Sequence, residues 1–297
     1  MIIVKIAIGI PAFNEEKNIA SIIAKLNDIT DIVIVCNDGS HDMTGIIAQK
    51  MGAIVINHEK NLGYGAAIRS IFLKAREINP DVLVTFDADG QHRIQDIQTV
   101  LKPIDENHAD IVIGSRFLNA TENIPSYRKA GIKIITKLAN TSLDKDISDS
   151  QSGFRAYRNN VLKEIIPSEY GMGVSNEILI KSSKKGFKIA EVPIVVSYEG
   201  ETSTHHPISH GMGVILSTMK FISIEHPLKF YGLPGLGLLG IGLFFIVWTL
   251  QLFSETREIV TNISLIAVGT TVLGTTLLMA AIMLYSIVNL IREHSTK

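Results

Sequence analysis

The sequence contains a single cysteine and no excess of charge of either sign. Cys36 has no second cysteine with which to form a disulfide within the chain, which is typical of a reducing compartment. The 28 basic and 29 acidic residues give a formal net charge of -1. A chain with this balance lacks the basic surplus that nucleic-acid binding requires, so we expect no nucleic-acid partner.

Charged residues are also absent from two long runs near the C-terminus, 230–253 and 259–291. Each run exceeds the roughly 20 residues that a membrane-spanning helix needs. A buried hairpin of a soluble domain is the alternative, but both runs are apolar on every side. The sequence therefore predicts three parts: a large domain over 1–208, an amphipathic interfacial connector over 209–229, and a membrane hairpin over 230–297 with spans at about 230–253 and 262–290.

The first 208 residues alternate between apolar runs suited to buried strands and amphipathic runs suited to helices. The predicted strands are 2–10, 31–36, 53–56, 82–86, 110–113 and 187–197. The predicted helices are about 14–26, 42–51, 66–77, 94–101, 116–140 and 174–185. Strands that are separated by helices of this length predict a Rossmann-like α/β fold, with a mostly parallel sheet covered by helices on both faces.

The stretch Val82–His92 joins a buried strand to a charged tip. Five apolar or β-branched residues lead directly into Asp87 and Asp89, and Gln91 follows. A hard divalent cation such as Mg²⁺ or Mn²⁺ takes oxygen ligands from one or two side chains and the remainder from phosphate and water. We therefore predict a metal site at Asp87, Asp89 and Gln91. An ordinary turn is the alternative, because Asp and Gly are common turn residues.

Polar groups also follow the first two predicted strands. The segment 11–15 reads P-A-F-N-E and the segment 37–40 reads N-D-G-S. Ligands bind at the carboxyl ends of the strands in an open α/β sheet. We therefore expect these two segments and the D-x-D segment to converge on one crevice.

Five short motifs occur in the order that a known family shows: P-A-F-N-E, N-D-G-S, D-A-D-G-Q-H, G-S-R-F and S-G-F-R. On these motifs the chain resembles the inverting family 2 glycosyltransferases of the GT-A fold, and among them the dolichyl- or polyprenyl-phosphate hexose synthases. The resemblance covers roughly residues 4–200. It implies a GT-A domain that transfers a hexose from a UDP- or GDP-sugar to dolichyl or polyprenyl phosphate, with Mg²⁺ or Mn²⁺ as cofactor.

The resemblance also implies roles for single residues. The nucleotide would be held by Pro11, Phe13, Glu15 and Asp38. The metal and the donor diphosphate would be held by Asp87, Asp89 and Gln91. The catalytic set would comprise Asp89, two arginines near the acceptor phosphate and donor diphosphate, Arg116 and Arg128, and the acid Asp149, while Arg155 matches the arginine of D-x-x-S-G-F-R. A phosphate acceptor is already mostly dianionic near neutral pH, so we expect Asp149 to orient groups rather than to remove a proton.

The chain departs from the family pattern at two places. The second motif reads N-D-G-S where many relatives have two acids, which leaves Asp38 as the remaining carboxylate. Many relatives also carry an arginine just before a G-x-S segment, and 198–203 has none. His205 or His206 is a possible substitute; a metal cluster with His210 is an alternative reading of these histidines.

The sequence is also compatible with two other functions. A processive polysaccharide synthase would share the fold and the membrane anchor, but it would need a Q-x-x-R-W element, and Trp248 is in the middle of a predicted span. A non-catalytic sugar-nucleotide-binding scaffold is the second alternative. For the enzyme we predict two spans in the cell membrane and a cytoplasmic catalytic domain, because sugar nucleotides are cytosolic.

Overall fold

The computed structural model describes residues 5–118, 126–143, 146–196, 219, 223–224 and 226–295, without the side chains of 126–128, 289 and 291–295. The chain divides into two compact units, Met1–Thr218 and Met219–Lys297. The predicted connector 209–229 and the histidines at 205, 206 and 210 lie wholly or largely outside the described residues, so the domain boundaries remain predictions.

The first unit contains a sheet flanked by helices. The strands are β1 (Ile6–Ala12), β2 (Val33–Asn37), β3 (Ile54–Asn57), β4 (Val82–Thr85), β5 (Ile111–Ser115), β6 (Arg155–Arg158) and β7 (Ile189–Pro193). The helices are α1 (Ile19–Leu26), α2 (Thr44–Lys50), α3 (Tyr64–Ile78), α4 (Asp96–Asp105), α5 (Ser126–Asn140), α6 (Asn159–Glu164) and α7 (Val174–Lys184).

Within the described residues the strands form one seven-stranded sheet in the order β3-β2-β1-β4-β6-β5-β7. Every neighbouring pair is parallel except the two that involve β6, which runs antiparallel to both β4 and β5. The prediction of a mostly parallel sheet is confirmed. The strand β6 and the helix α6 were not predicted, because R-A-Y-R lacks the apolar run that marks a buried strand.

The strand β1 extends past the predicted end at residue 10 and includes Pro11. Proline lacks an N–H group and normally interrupts a central strand. The Gly9 carbonyl accepts a hydrogen bond from Phe86 N, so Gly9 and the alternate residue Pro11 direct their backbone groups toward β4. The strand β4 ends at Thr85, which pairs with Gly9. Pro11 therefore lies beyond the last β4 partner, where no ladder hydrogen bond is lost.

Each face of the sheet has its own apolar core. On one face Ile8 and Ile10 pack with buried residues of α1, α2 and α4. On the other face Ala7 and Cys36 pack with buried residues of α3, α6 and α7. Full burial of an isoleucine or leucine side chain contributes about 1.5–3 kcal/mol. The prediction of helices on both faces is confirmed, and Cys36 is a buried core residue.

The second unit consists of two long apolar helices, α8 (Leu233–Thr256) and α9 (Thr261–Ser295), with a π-helical turn at Leu228–Gly232 before α8. The apolar stretches are Leu228–Thr256 and Thr261–Val288, with mean hydropathy 2.1 and 2.0, and few of their residues are buried. By length and composition both are candidate membrane spans. Their limits differ by a few residues from the predicted 230–253 and 262–290.

Glycines allow α8 and α9 to approach closely. A Cβ atom at Gly235 would lie 3.0 Å from the Gly274 carbonyl oxygen, and one at Gly274 would lie 2.8 Å from the Gly235 carbonyl oxygen. Further along α8, a Cβ atom at Gly242 would collide with the Thr271 hydroxyl. Small residues at such crossings are typical of helices that pack within a membrane.

Candidate active site

The loops that follow β1, β2 and β4 are neighbours because these three strands are adjacent in the sheet. Asn14 adopts a left-handed conformation with φ 56°, and its backbone N donates to Ser40 Oγ at 3.0 Å. Its side-chain Oδ1 accepts from the His41 N–H at 2.9 Å. Glu15 N donates to Thr44 Oγ1 at 2.8 Å. These bonds join the first two loops into one wall of the crevice.

Glu15 connects this wall electrostatically to the D-x-D segment. Burial raises the pKa of Glu15 above its ordinary value, although a hydrogen bond from Asn18 opposes the shift. The negative charges of Asp89, Asp42 and Asp87 raise it further. Asp87 and Asp89 are therefore within electrostatic range of Glu15. That the three segments form one substrate crevice remains a prediction.

Asp87 is held from two sides. Tyr64 Oη lies 3.4 Å from Asp87 Oδ1, and His92 Nε2 lies 3.2 Å from Asp87 Oδ2. The His92 side chain is 7% exposed, and because a carboxylate only accepts hydrogen bonds, His92 Nε2 is the donor to Asp87. Burial and the charge of Asp87 raise the pKa of Tyr64 well above its ordinary value, so its hydroxyl stays protonated and donates as well.

Gly153 forms the floor beneath Asp87. A Cβ atom at this position would lie 2.7 Å from both carboxylate oxygens of Asp87. Thr85 fixes the loop, because its Oγ1 donates to the Gly153 carbonyl at 2.7 Å. On the outer side, Asp89 Oδ1 accepts from Gln91 N at 3.0 Å. Asp87 is therefore supported from below and at its sides, while its side chain remains 27% exposed to the crevice.

These residues fit a hard divalent cation that takes part of its ligands from the substrate. Among the described residues no group of three or more His, Cys, Asp and Glu side chains could hold a metal ion. Two carboxylates and one amide, all oxygen donors, suit Mg²⁺ or Mn²⁺ when phosphate and water complete the coordination. The assignment of Asp87, Asp89 and Gln91 to the metal remains a prediction.

Asp38 is buried and bonded entirely within the protein. Its Oδ1 accepts from Leu62 N at 2.9 Å and its Oδ2 from Gly63 N at 2.8 Å. His58 Nδ1 lies 2.6 Å from Oδ1. The carboxylate thus fixes the glycine-rich turn at the start of α3, which carries Tyr64. Its predicted contact with a nucleotide is untested, and such a contact would have to share these oxygens.

His58 was missed by sequence reasoning. The other ring nitrogen, Nε2, lies 2.9 Å from Ser70 Oγ and 3.5 Å from Cys36 Sγ. Pro11 and Phe13, which were predicted to hold the nucleotide, differ in exposure: Pro11 is buried in β1, whereas Phe13 is half-buried with its ring edge-on to His41 at 6.4 Å between centroids. Only the Phe13 side chain therefore offers a partly open surface to a base.

Arg116 and Asp149 form a bidentate ion pair. Arg116 Nε donates to Asp149 Oδ2 at 2.7 Å and Nη2 donates to Oδ1 at 2.8 Å. Burial by itself would raise the pKa of the fully buried Asp149, but the Arg116 guanidinium and backbone N–H groups hold it below its ordinary value. Glu191, also missed from the sequence, accepts the backbone N–H of Ser148 at 2.8 Å and that of Asp149 at 3.0 Å.

Two further arginines of the family motifs, Arg155 and Arg128, differ in what the structure describes of them. Arg155 is fully buried and donates to the carbonyls of Ser150, Ser152 and Ser175, so it holds the loop that carries Gly153 rather than pointing into the crevice. Arg128 belongs to α5, and its side chain lies outside the described residues. Its predicted place near the acceptor phosphate therefore remains a prediction.

A parallel sheet with an acidic D-x-D tip beside two further loop segments is the arrangement of nucleotide-sugar-dependent glycosyltransferases of the GT-A type. The chain belongs to glycosyl transferase family 2, whose model matches residues 7–166. It is an enzyme of this class, which excludes the scaffold alternative.

Two relatives extend this result. The chain is 34% identical to the dolichyl-phosphate hexose transferase of Haloferax volcanii, over 75% of this chain and 96% of the relative. It is also 34% identical to the UDP-N-acetylglucosamine–dolichyl-phosphate N-acetylglucosaminyltransferase of Methanococcus voltae, over 71% of this chain and 91% of the relative.

A solved structure shares the fold. Glucosyl-3-phosphoglycerate synthase from Mycobacterium tuberculosis, crystallised with Mn²⁺ and UDP-glucose, matches with a TM-score of 0.58 at 22% identity. The match covers 74% of this chain and 78% of that one. At this identity the likeness establishes the GT-A-like fold alone.

Proposed function

We propose that the chain transfers a hexose from a UDP- or GDP-hexose to dolichyl or polyprenyl phosphate, with inversion at the anomeric carbon. The product is a lipid-phosphate-linked sugar that serves glycosylation of proteins or the cell envelope. The names of the two relatives support the acceptor class. The motif order and the acidic crevice support a nucleotide-sugar donor.

The observation that carries the proposal is the state of Asp149. Its carboxylate is buried, paired with Arg116 and lowered in pKa, so it is poorly suited to accept a proton at neutral pH. A hydroxyl acceptor would need such a base. A phosphate monoester does not, because its second pKa of about 6 leaves it mostly dianionic. A phosphate oxygen then forms the new bond to the anomeric carbon as the bond to the nucleoside diphosphate breaks.

The remaining residues have supporting tasks in this reaction. A divalent metal held by Asp87, Asp89 and Gln91 would supply positive charge to the departing nucleoside diphosphate. Tyr64 and His92 keep Asp87 oriented through their hydrogen bonds. Asp149 fixes the orientation of the Arg116 guanidinium, whose positive charge would attract a phosphate group of the acceptor or donor.

The experiment uses the full chain in membranes, labelled UDP- and GDP-hexoses, and a polyprenyl phosphate. We expect one donor to give a labelled lipid that forms only with divalent metal. Asp89→Asn should remove nearly all transfer, whereas Asp28→Asn, at an exposed carboxylate, should leave it unchanged. Absence of lipid product from a folded chain with every donor would refute the proposed acceptor, and full activity in EDTA would refute the metal site.

We also propose that the catalytic domain is cytoplasmic and that both termini lie on that side of the cell membrane. Two spans return the chain to the side on which it began. Lys229 and Arg292 flank the inner ends, while Arg257 at the outer turn lies next to two glutamates. A membrane-impermeant thiol reagent should label Ser254→Cys only from the outside; labelling from the cytosol alone would reverse the orientation.

A further inference from the structure

Glu177 is an acid that has no task in the reaction proposed above, yet it is completely buried in the first turn of α7. Its carboxylate accepts the backbone N–H of Ser168, at 2.9 Å from Oε1, and that of Glu169, at 2.8 Å from Oε2. The Ser168 hydroxyl also donates to Oε1, and Lys181 Nζ lies 2.6 Å from the same oxygen. A buried carboxylate is costly unless such bonds compensate it, so Glu177 holds the backbone of this loop in place.

The same loop holds the beginning of α3. The Tyr170 carbonyl accepts the N–H of Gly65 at 2.8 Å and that of Ala66 at 3.3 Å. Both N–H groups belong to the first turn of the helix, where no partner within the helix exists. The two backbones approach so closely that a Cβ atom at Gly65 would collide with the Glu169 carbonyl oxygen. A displacement of the loop therefore displaces the first turn of α3.

Tyr64 lies at the centre of this turn and reaches the D-x-D segment. The backbone N–H groups of the two preceding residues donate to Asp38, and those of the two following residues donate to the Tyr170 carbonyl. The Tyr64 hydroxyl lies 3.4 Å from Asp87 Oδ1. Because the backbone is held on both sides of Tyr64, the position of the loop decides where this hydroxyl meets the carboxylate.

The residue before Glu177 anchors the other support of Asp87. Gln151 Nε2 donates to Asn176 Oδ1 at 2.9 Å, and Gln151 lies two residues before Gly153, the floor beneath Asp87. Asn176 and Glu177 are both completely buried, so neither is placed to contact a substrate. Two consecutive residues of α7 therefore hold the floor beneath Asp87 and the turn beside it.

We propose that Glu177 is a positioning residue for the metal site, which acts through the loop 168–171 and Tyr64 to set the place of the Asp87 carboxylate. The inference rests on the proposed function, because it takes Asp87 as a ligand of the divalent metal. Residues that orient a metal ligand without touching the metal typically contribute about 10–100-fold to metal affinity. If Glu177 acts along this one route, its effect on metal binding should vanish once the Tyr64 hydroxyl is removed.

The test measures Mn²⁺ binding to the full chain in detergent, from the loss of the free-ion electron paramagnetic resonance signal. UDP or GDP is present, the acceptor is absent, and a protein-free sample gives the background. Glu177→Gln and Tyr64→Phe should each raise the dissociation constant for Mn²⁺ about 10–100-fold, and the double variant should bind no more weakly than the weaker single variant. Glu164→Gln, which removes the acid of an exposed pair with Lys185 at the far end of α7, should change nothing.

Unchanged Mn²⁺ binding in a folded Glu177→Gln chain would overturn the proposal, and so would a loss that persists undiminished in the Tyr64→Phe background. Ser168→Ala, which removes only the hydroxyl donor to Glu177, should show a smaller effect and decides in the same way if Glu177→Gln does not fold.

Asp87→Asn separates this inference from the metal site itself. It should remove most Mn²⁺ binding, and binding equal to that of the native chain would refute both the site and the role of Glu177. Loss of binding in Asp87→Asn with none in the Glu177 and Ser168 variants would refute the role of Glu177 alone. The readout does not depend on sugar transfer, so a wrong acceptor would leave it unaffected.

Discussion

Gly153 and Asp87 are in such close contact that no side chain fits between them. A Cβ atom at Gly153 would lie 2.7 Å from each carboxylate oxygen of Asp87 and 2.6 Å from Tyr64 Oη. The Gly153 backbone is itself anchored by Thr85. Gly153, the glycine of S-G-F-R, thus sets the position of Asp87, the first acid of D-x-D. Through this contact, two motifs that are distant in sequence both determine where the Asp87 carboxylate lies.

Gly153→Ala should displace Asp87 and weaken metal binding. The added methyl group must push against both carboxylate oxygens, and φ at Gly153 is not in the left-handed region, so the effect is steric. Changes beside a metal ligand typically cost about 10–100-fold in metal affinity. The metal concentration for half-maximal transfer measures this. Gly131→Ala, where a Cβ meets nothing within 4 Å, is the control, and an unchanged metal requirement in Gly153→Ala would contradict the prediction.

Arg128→Ala should raise KM for the lipid phosphate or lower turnover, with donor binding little changed. This prediction rests on the family motif and on the ability of a guanidinium to bind phosphate oxygens bidentately. One lost charge-assisted contact of about 1.5–3 kcal/mol corresponds to roughly ten- to a hundred-fold. Lys129→Ala, at an exposed side chain, should do less. Loss of nucleotide-sugar affinity with normal use of the acceptor would move Arg128 to the donor site.

The parts of the fold that could be predicted are those with local signals. Val82–Phe86 consists of apolar or β-branched residues and runs into two acids, so both the strand and its acidic end follow from the sequence. In contrast, β6 begins and ends with arginine. Arg155 is buried because the carbonyls of Ser150, Ser152 and Ser175 accept its donors. Arg158 donates to Ile104 O and Asn107 Oδ1. These partners exist only after the chain has folded.

The same reason limited the prediction of the site. The motif letters identified Asp38 and Asp149 but not the groups that bind them. His58 follows β3, a strand that is only partly buried, and nothing around it in the sequence indicates that its ring contacts Asp38. Glu191 occurs within β7, yet it binds the backbone just before Asp149. Residues that orient a site through tertiary contacts do not occur at a fixed spacing in the sequence, so no motif identifies them.

Asp38→Ala should destabilise the fold more than it weakens donor binding. It removes the acceptor of two backbone N–H groups and of His58, and each buried donor left unpaired costs about 1–3 kcal/mol. We expect the free energy of unfolding to fall by at least about 2 kcal/mol, and His58→Ala to have a smaller effect in the same direction. Denaturant unfolding and nucleotide titration measure the two quantities. Weaker nucleotide binding at unchanged stability would support the predicted nucleotide contact instead.

Arg116→Ala should produce a stability loss that depends on pH. In the native chain the pKa of Asp149 is lowered. The ion pair therefore contributes its full stability above the ordinary carboxylate pKa of about 4. That stability is lost as the pH falls through the pKa of Asp149 in the folded chain. Without Arg116, burial raises the pKa of Asp149. Glu191, which accepts the backbone N–H of Asp149, is itself an acid and cannot replace the lost positive charge.

At pH 7 the variant must therefore keep a buried, unpaired carboxylate, which costs about 3–5 kcal/mol. The difference from the native chain should shrink as pH falls toward about 4, because protonated Asp149 needs no counter-charge. Denaturant unfolding at both pH values measures it. Arg116→Ala/Asp149→Asn should recover much of the stability at pH 7, since the buried charge is gone. A loss that is equal at both pH values, or no recovery in the double variant, would mean that Arg116 acts through packing and not through its charge.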